Sequence, residues 1–509
     1  MSRVFRRRAA RWVLTLSALV SAVGACSGSD RMTSPAPVRV LDRGVPPASP
    51  EIATENAVVG TRAWYSPPAA WSADSDLAIW ASPYSLQAGD TLDVFAHARY
   101  GPLRVELFRL GYYGGLGGRL MSRTDTVIAS LQRPCGRSAR GIVNCAWSRT
   151  LAIGTGSGWR SGIYLVKATD TRGKTWSYPF VVRDGRQAAV LAIVPQFTWQ
   201  AYNTFGGTSL YTKDASGALG TSVSFERPYK IRGGGGYAYG LGYSNDLSVA
   251  RWLERRGIDV SYVSDGDLTG SSPRVSAPLR AAVIVGHAEY WTWNEFTFVQ
   301  LLRDSGIHLM FTSANNAYWD VRSDFGEVSG RPNGVVYCYK NGGDPYAGSP
   351  DLITGLFRSS VHQRPENALY GVMHFKHGYG SFPLIVSDSA VGEHARSFLA
   401  AAGILAGDTL ANILTLGQGA AQFMSIEGDQ ISANGQTPLG IEVLFHADIK
   451  ASDGTIARFH TTFFVARSGA AVFASGFNEW GRWLDDWYAP GDARIQATSG
   501  AVLGWMLAH

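Results

Sequence analysis

The chain has 509 residues, 45% of them hydrophobic, enough for ordinary buried cores and for two or three domains. Its formal charge is +6, but Arg3, Arg6, Arg7, Arg8 and Arg11 supply five of those charges at the very start. Without them the balance is about +1, which excludes nucleic acid as the expected partner.

Those arginines precede an apolar run from Trp12 to Val23 and the small-residue stretch Val23–Cys26, "VGAC". A charged start, a short apolar stretch and small residues make an export signal, with too few apolar residues for a membrane span. The cysteine after the small residues resembles a bacterial lipobox. Residues 1–26 therefore read as a lipoprotein-type signal whose Cys26 becomes an acylated membrane anchor, with an ordinary signal peptide as the alternative. The expected location is the bacterial cell envelope, periplasmic or at the surface. Residues 27–57 are rich in Ser and Pro and read as a tether.

From 58 to 185 the pattern is short and period-two. "DTLDVFAHAR", "LRVELFRLGYYGG" and "SGIYLVKATDTRGKTWSYPFVVRD" read as strands joined by glycine turns, which predicts an antiparallel β-sandwich of immunoglobulin or fibronectin type. The glycines of "GYYGGLGG" permit positive φ in a loop but form no phosphate fingerprint, since no helix follows. Cys135 and Cys145, in "CGRSARGIVNC", are close enough to pair across a small loop in an oxidising compartment, a gain of roughly 2–3 kcal/mol. Cys338 is left over and reads as a buried small hydrophobe.

After Arg186 the texture changes. "AAVLAIVP", "DVSYVS", "AAVIVG", "IHLMFTSA" and "ANILTLG" are continuous apolar runs, and helical spacing separates some of them at 246–256 and 294–305. Strand alternating with helix predicts a doubly wound α/β domain over 186–509, although "IARFHTTFFVARSGAAVFASGFNEW" returns to paired strands.

Ligands of such sheets bind at the carboxyl ends of the strands. Three strand ends, "VPQFTWQAYNTFGG", "GHAEYW" and "SANNAYW", direct Tyr202, Asn203, His287, Glu289, Asn315 and Asn316 toward one rim. Taken singly each has a plain structural role. His287 fits a hydrogen-bonded strand end, Glu289 a helix cap, Tyr202 core packing, and the asparagines a turn. No Ser or Cys nucleophile accompanies them. The 16 Trp and 22 Tyr suit aromatic-lined clefts, and hence a small-molecule or carbohydrate ligand.

The stretches "VELFRLGYYGGLGGRLM", "TWQAYNTFGGTSLY", "VSYVSDGDL", "GHAEYWTW" and "SANNAYWDVR", in this order, resemble the large-subunit catalytic region of N,N-dimethylformamidase, from about Val58 to the C-terminus. The resemblance implies a sandwich followed by a domain similar to class I glutamine amidotransferases without their nucleophilic cysteine. It also implies a mononuclear ferric iron held by two tyrosines and one glutamate. On that basis Glu289 is the carboxylate ligand, His287 an acid/base beside it, and Tyr202 one phenolate. Tyr164 of "SGIY" is the choice for the other, with a sandwich corner tyrosine as its alternative. Asn315 would polarise the substrate carbonyl, and Glu427 of "SIEGD" would be a further carboxylate.

The function expected is hydrolysis of linear, non-peptide amides by an iron that polarises the carbonyl and activates water. The alternative is a non-catalytic surface lipoprotein that binds carbohydrate or another small ligand. The resemblance implies work in the cytoplasm with a small partner subunit, whereas the start of this chain reads as an export signal. A small partner subunit or a homo-oligomer is therefore the expected assembly.

Overall fold

In the computed structural model the described residues are 49–213, 216–231, 241–269, 278–349, 351–378, 382–386, 392–410, 426–451, 453–487 and 490–509. The signal, Cys26 and the strand candidate "ANILTLG" lie outside them. The described residues make one compact unit, β-rich, with several sheets and few helices. Among the described residues no helix is long and apolar enough to cross a membrane.

The stretch read as a tether ends in structure. Pro50–Ala57 is a helix with proline in its first turn, where a missing N–H costs nothing. Its Asn56 side chain accepts from the backbone N–H of Tyr112 and Tyr113 and donates to Glu254. Its Glu55 takes Arg119 and the Tyr113 hydroxyl. A short helix held by polar contacts carries little apolar periodicity, which is why it reads as linker.

The period-two segments form two sheets. One has three strands, Leu77–Ser82, Thr91–Ala98 and Leu151–Gly154. The other has five, in the order Ser85–Gln87, Thr175–Arg183, Gly162–Thr169, Leu103–Leu110 and Gly118–Val127. Trp80 stacks on Phe95 within the smaller sheet, at 3.9 Å between ring centroids. In the larger sheet the strands Gly162–Thr169 and Thr175–Arg183 are buried almost throughout rather than on alternate residues, because Thr175–Arg183 contacts both Leu77–Ser82 and Val260–Ser264. Cys135 and Cys145 are joined by a disulfide.

A nine-stranded sheet follows. Its order is Val260–Ser264, Val190–Val194, Ala281–Ile284, His308–Phe311, Ala471–Ala474, Ile456–Val465, Glu442–Lys450, Leu384–Val386 and Thr409–Leu410. The first five are parallel and the rest antiparallel. The parallel half matches the continuous apolar runs, since a strand covered on both faces has no wet side. Val190, Ala192 and Val194 pack in one core with Leu247, Ala250 and Leu253 of the helix Leu241–Arg255. Leu191 and Ile193 pack in another with Phe296, Val299 and Leu302 of the helix Trp293–Asp304. The antiparallel half departs from a sheet built throughout by strand–helix alternation.

Chain order within the parallel half runs second, first, third, fourth, fifth. The connections therefore diverge between Val190–Val194 and Ala281–Ile284, and it is outside the carboxyl ends of strands at such a switch point that sheets of this kind bind their ligands.

Candidate active site

The segments that leave those two strands meet. After Val194 the chain makes the short helix Gln196–Ala201, and Tyr202 stands at its end. After Ile284 it turns through Gly286, whose φ of 59° is one that L side chains rarely adopt. A Cβ on Gly286 would also lie 1.5 Å from Asp246 Oδ1. Thr198 Oγ1 then accepts the backbone N–H groups of Glu289 and Tyr290, which ties the second segment to the helix of the first.

Glu289 does not cap the following helix. Thr292 does, accepting from the Glu295 N–H, and Tyr290–Thr292 forms a strand paired with Trp319–Asp324. The Glu289 carboxylate is turned inward and is almost fully buried. It accepts from the Tyr202 hydroxyl at 2.7 Å, from the Tyr211 hydroxyl at 2.8 Å on each oxygen, and from Trp319 Nε1 at 3.0 Å. The two phenol oxygens are 3.0 Å apart and their rings stack at 4.5 Å.

His287 lies on the other side of this carboxylate. Its Nδ1–H donates to the Ala314 carbonyl at 3.0 Å, which leaves Nε2 facing Glu427 at 3.3 Å and Glu289 at 3.6 Å. Burial, the largest influence, pulls the imidazole down, but the two carboxylates outweigh it and hold the ring protonated, at about 9. Burial raises Glu289, and the His287 and Tyr202 hydrogen bonds together with the Lys340 charge bring it down to about 2. Desolvation and the neighbouring Glu289 charge push the Tyr211 phenol well above its ordinary value. The Lys340 ammonium sits 3.3 Å from the centre of the Tyr211 ring, and burial lowers its pKa.

Asn315 has φ of 53°, as asparagine tolerates, and its Nδ2 donates to Glu427 at 3.0 Å while its backbone N–H donates to Asp429. Its Oδ1 is buried without a hydrogen-bond partner among the described residues. Asn316 Oδ1 accepts from the Ala288 N–H and so braces the segment that carries His287 and Glu289.

Tyr202, His287, Glu289, Asn315 and Glu427 are thus brought together, and Tyr164 is not. It stands in the middle of the five-stranded sheet, fully buried, with its hydroxyl donating to the Arg160 carbonyl four residues upstream and its ring stacked on Trp159. That is the corner-tyrosine role, and the second phenol beside Glu289 is Tyr211. Sequence reasoning passed over Tyr211 and Lys340. Tyr211 closes the stretch "TWQAYNTFGGTSLY", but a loop tyrosine nine residues past Tyr202 has no spacing signal of its own.

The profile of the family described as N,N-dimethylformamidase beta subunit-like, C-terminal, matches residues 104–493. The chain belongs to this family. No curated protein matches it.

The donor set here fits the iron that the resemblance to this family implies. Among the described residues no group of three or more His, Cys, Asp or Glu side chains is arranged to hold a metal ion. Two phenols and a carboxylate, their oxygens 2.7–3.0 Å apart, are instead a hard oxygen set of the kind that favours a small, highly charged ion. The contacts among the three groups are hydrogen bonds, so a trivalent cation would take the place of the phenolic protons.

Proposed function

We propose that this chain is an exported, lipid-anchored hydrolase of small linear amides, with a ferric ion held by Tyr202, Tyr211 and Glu289. The observation that carries the reading is the meeting of two phenol oxygens and one buried carboxylate just past the carboxyl ends of two adjacent parallel strands, with an imidazole and a second carboxylate beside them. When bound, the ion would supply Lewis acidity toward the amide carbonyl and toward water.

The protein's own groups divide the remaining work. Glu427 Oε2 is within reach of His287 Nε2, so the pair can take a proton from the attacking water and hold it. His287 cannot rotate away, because its Nδ1–H is fixed by Ala314, and its Nε2–H is therefore aimed at the reacting centre as the donor to the leaving nitrogen. The buried Asn315 Oδ1 would accept an N–H or polarised C–H of the substrate, while its Nδ2 orients Glu427. Lys340 places a positive charge over the Tyr211 ring, which favours the phenolate form that a ligand must take. A small partner subunit or a second copy of the chain would complete the assembly.

The decisive assay supplies ferric or ferrous iron to the purified chain and follows amine release from N-alkylated formamides and acetamides. Turnover that needs both iron and His287 supports the reading. Iron-loaded protein inert toward every such amide overturns it.

A glycan-binding reading has one observation in its favour. Trp64, Tyr65 and Trp487 cluster, with ring centroids 5.3–6.5 Å apart, around a cavity of about 220 Å³ that Arg62 and Arg251 also line. It predicts sugar binding that survives loss of Glu289 and Tyr211.

A further inference from the structure

Resting on the hydrolase reading, we propose that His377 is the solvent end of a proton path that starts at His287 and passes through Glu427. Three side chains stand in a row. His287 Nε2 is 3.3 Å from Glu427 Oε2, and Glu427 Oε1 is 3.6 Å from His377 Nδ1. Side-chain exposure rises along the row from 5% through 12% to 47%. One oxygen of Glu427 thus serves the buried imidazole and the other a half-exposed one.

The backbone fixes this arrangement. Met373–Gly378 and Ile426–Gln430 are an antiparallel pair in which His377 lies directly opposite Glu427. The ladder slips between His374 and Lys376, a local irregularity of the kind that re-aims side chains near sites. The neighbours do not compete for the proton. His374, with its ring 5.0 Å from that of His377, is driven down to about 4 chiefly by burial and is neutral at working pH. Lys376 is turned to Asp453.

The path answers a need of the chemistry. Hydrolysis of an amide by water to a carboxylate and a neutral amine breaks the C–N bond, forms a C–O bond and releases one proton. That proton ends on the His287–Glu427 pair once the amine has taken its own. His287 Nδ1 is committed to a carbonyl and its ring is buried, so exchange must run from Nε2. At 3.3–3.6 Å each transfer is direct after an approach of a few tenths of an ångström.

The test compares wild type, His377→Ala and His377→Gln at a buffer concentration of about 1 mM. The expected result is a fall in kcat of about tenfold or more in both variants with KM unchanged, and restoration in His377→Ala as imidazole is added. A structural role would not be rescued by imidazole. Variants within about twofold of wild type, or a loss that imidazole leaves in place, would overturn the proposal. Absence of any turnover in wild type would count against the hydrolase reading alone. The path is then read without substrate, from the exchange of the His287 ring N–H with water by NMR in metal-free, 15N-histidine-labelled full chain. Slower exchange in His377→Ala, reversed by imidazole, supports it, and equal exchange overturns it.

Discussion

Glu254→Gln removes one charge from a fully buried pair and leaves the shape nearly unchanged. The Glu254 carboxylate accepts from Arg109 at 2.7 and 3.1 Å, from Asn56 Nδ2 at 3.1 Å and from the Tyr262 hydroxyl at 3.3 Å. These contacts join the N-terminal helix, the larger sandwich sheet, the helix Leu241–Arg255 and the edge strand Val260–Ser264. Both Arg109 and Glu254 side chains have no solvent exposure. Glutamine would offer one acceptor and an unwanted N–H₂ to a guanidinium that remains charged. Breaking such a pair from one side costs about 3–5 kcal/mol. Glu55, which shares the Tyr113 hydroxyl with Arg109, offsets part of this, so the lower end is expected. An unfolding entropy of about 2 cal/mol/K per residue over roughly 460 residues converts ~3 kcal/mol to a Tm lower by about 3 °C. Calorimetry on the single variant and on Arg109→Leu/Glu254→Leu checks this, because replacing both partners by apolar groups should recover most of the loss. A single variant melting within about 1 °C of wild type, or a double variant worse than the single, would refute the uncompensated-charge argument.

Gly286→Ala should destabilise by about 2 kcal/mol or more, since positive φ and the 1.5 Å approach to Asp246 act together, and urea titration reads the shift. Asp246 is raised by burial to about 8 from 3.8, so the folded state keeps a proton that the unfolded state has lost. Stability should therefore fall as pH rises from about 4 to about 8, by up to about 1.4 kcal/mol per unit from this group, and be unaffected by it outside that window. Asp246→Asn should flatten that part of the pH profile of chemical denaturation; an unchanged slope would count against the buried neutral acid. Cys145→Ser should cost roughly 2–3 kcal/mol, with the variant insensitive to reductant and wild type sensitive.

Much of the site was legible because the rule behind it is topological. Continuous apolar runs mark strands covered on both faces, and the residues just past their carboxyl ends share a rim, so Tyr202, His287, Glu289 and Asn315 could be grouped before any distance was known. The charge of Glu427 was visible as well, but its partner His377 was not, because their pairing depends on a slip in the ladder that no periodicity records. Tyr211 reaches Glu289 by folding a loop back onto Tyr202, a tertiary event with no local spacing. Tyr164 misled for the complementary reason. Alternation along a strand says that a side chain is buried, but not in which core, and here the strand Gly162–Thr169 is buried on both sides. The strand pair in 456–474 was legible, but its place beside His308–Phe311 was not, because Phe311 and Ala474 are far apart in sequence although they are partners across neighbouring strands.

The central claim is that Tyr202, Tyr211 and Glu289 hold a ferric ion, and iron content with the visible spectrum of the full chain tests it most directly. The account predicts about one iron per chain and a phenolate charge-transfer band in wild type and in Tyr164→Phe, with both lost in Glu289→Gln and the band shifted or lost in Tyr211→Phe. Protein that stays colourless and iron-free after anaerobic loading, or a Tyr211→Phe variant whose iron and spectrum match those of wild type, would contradict it.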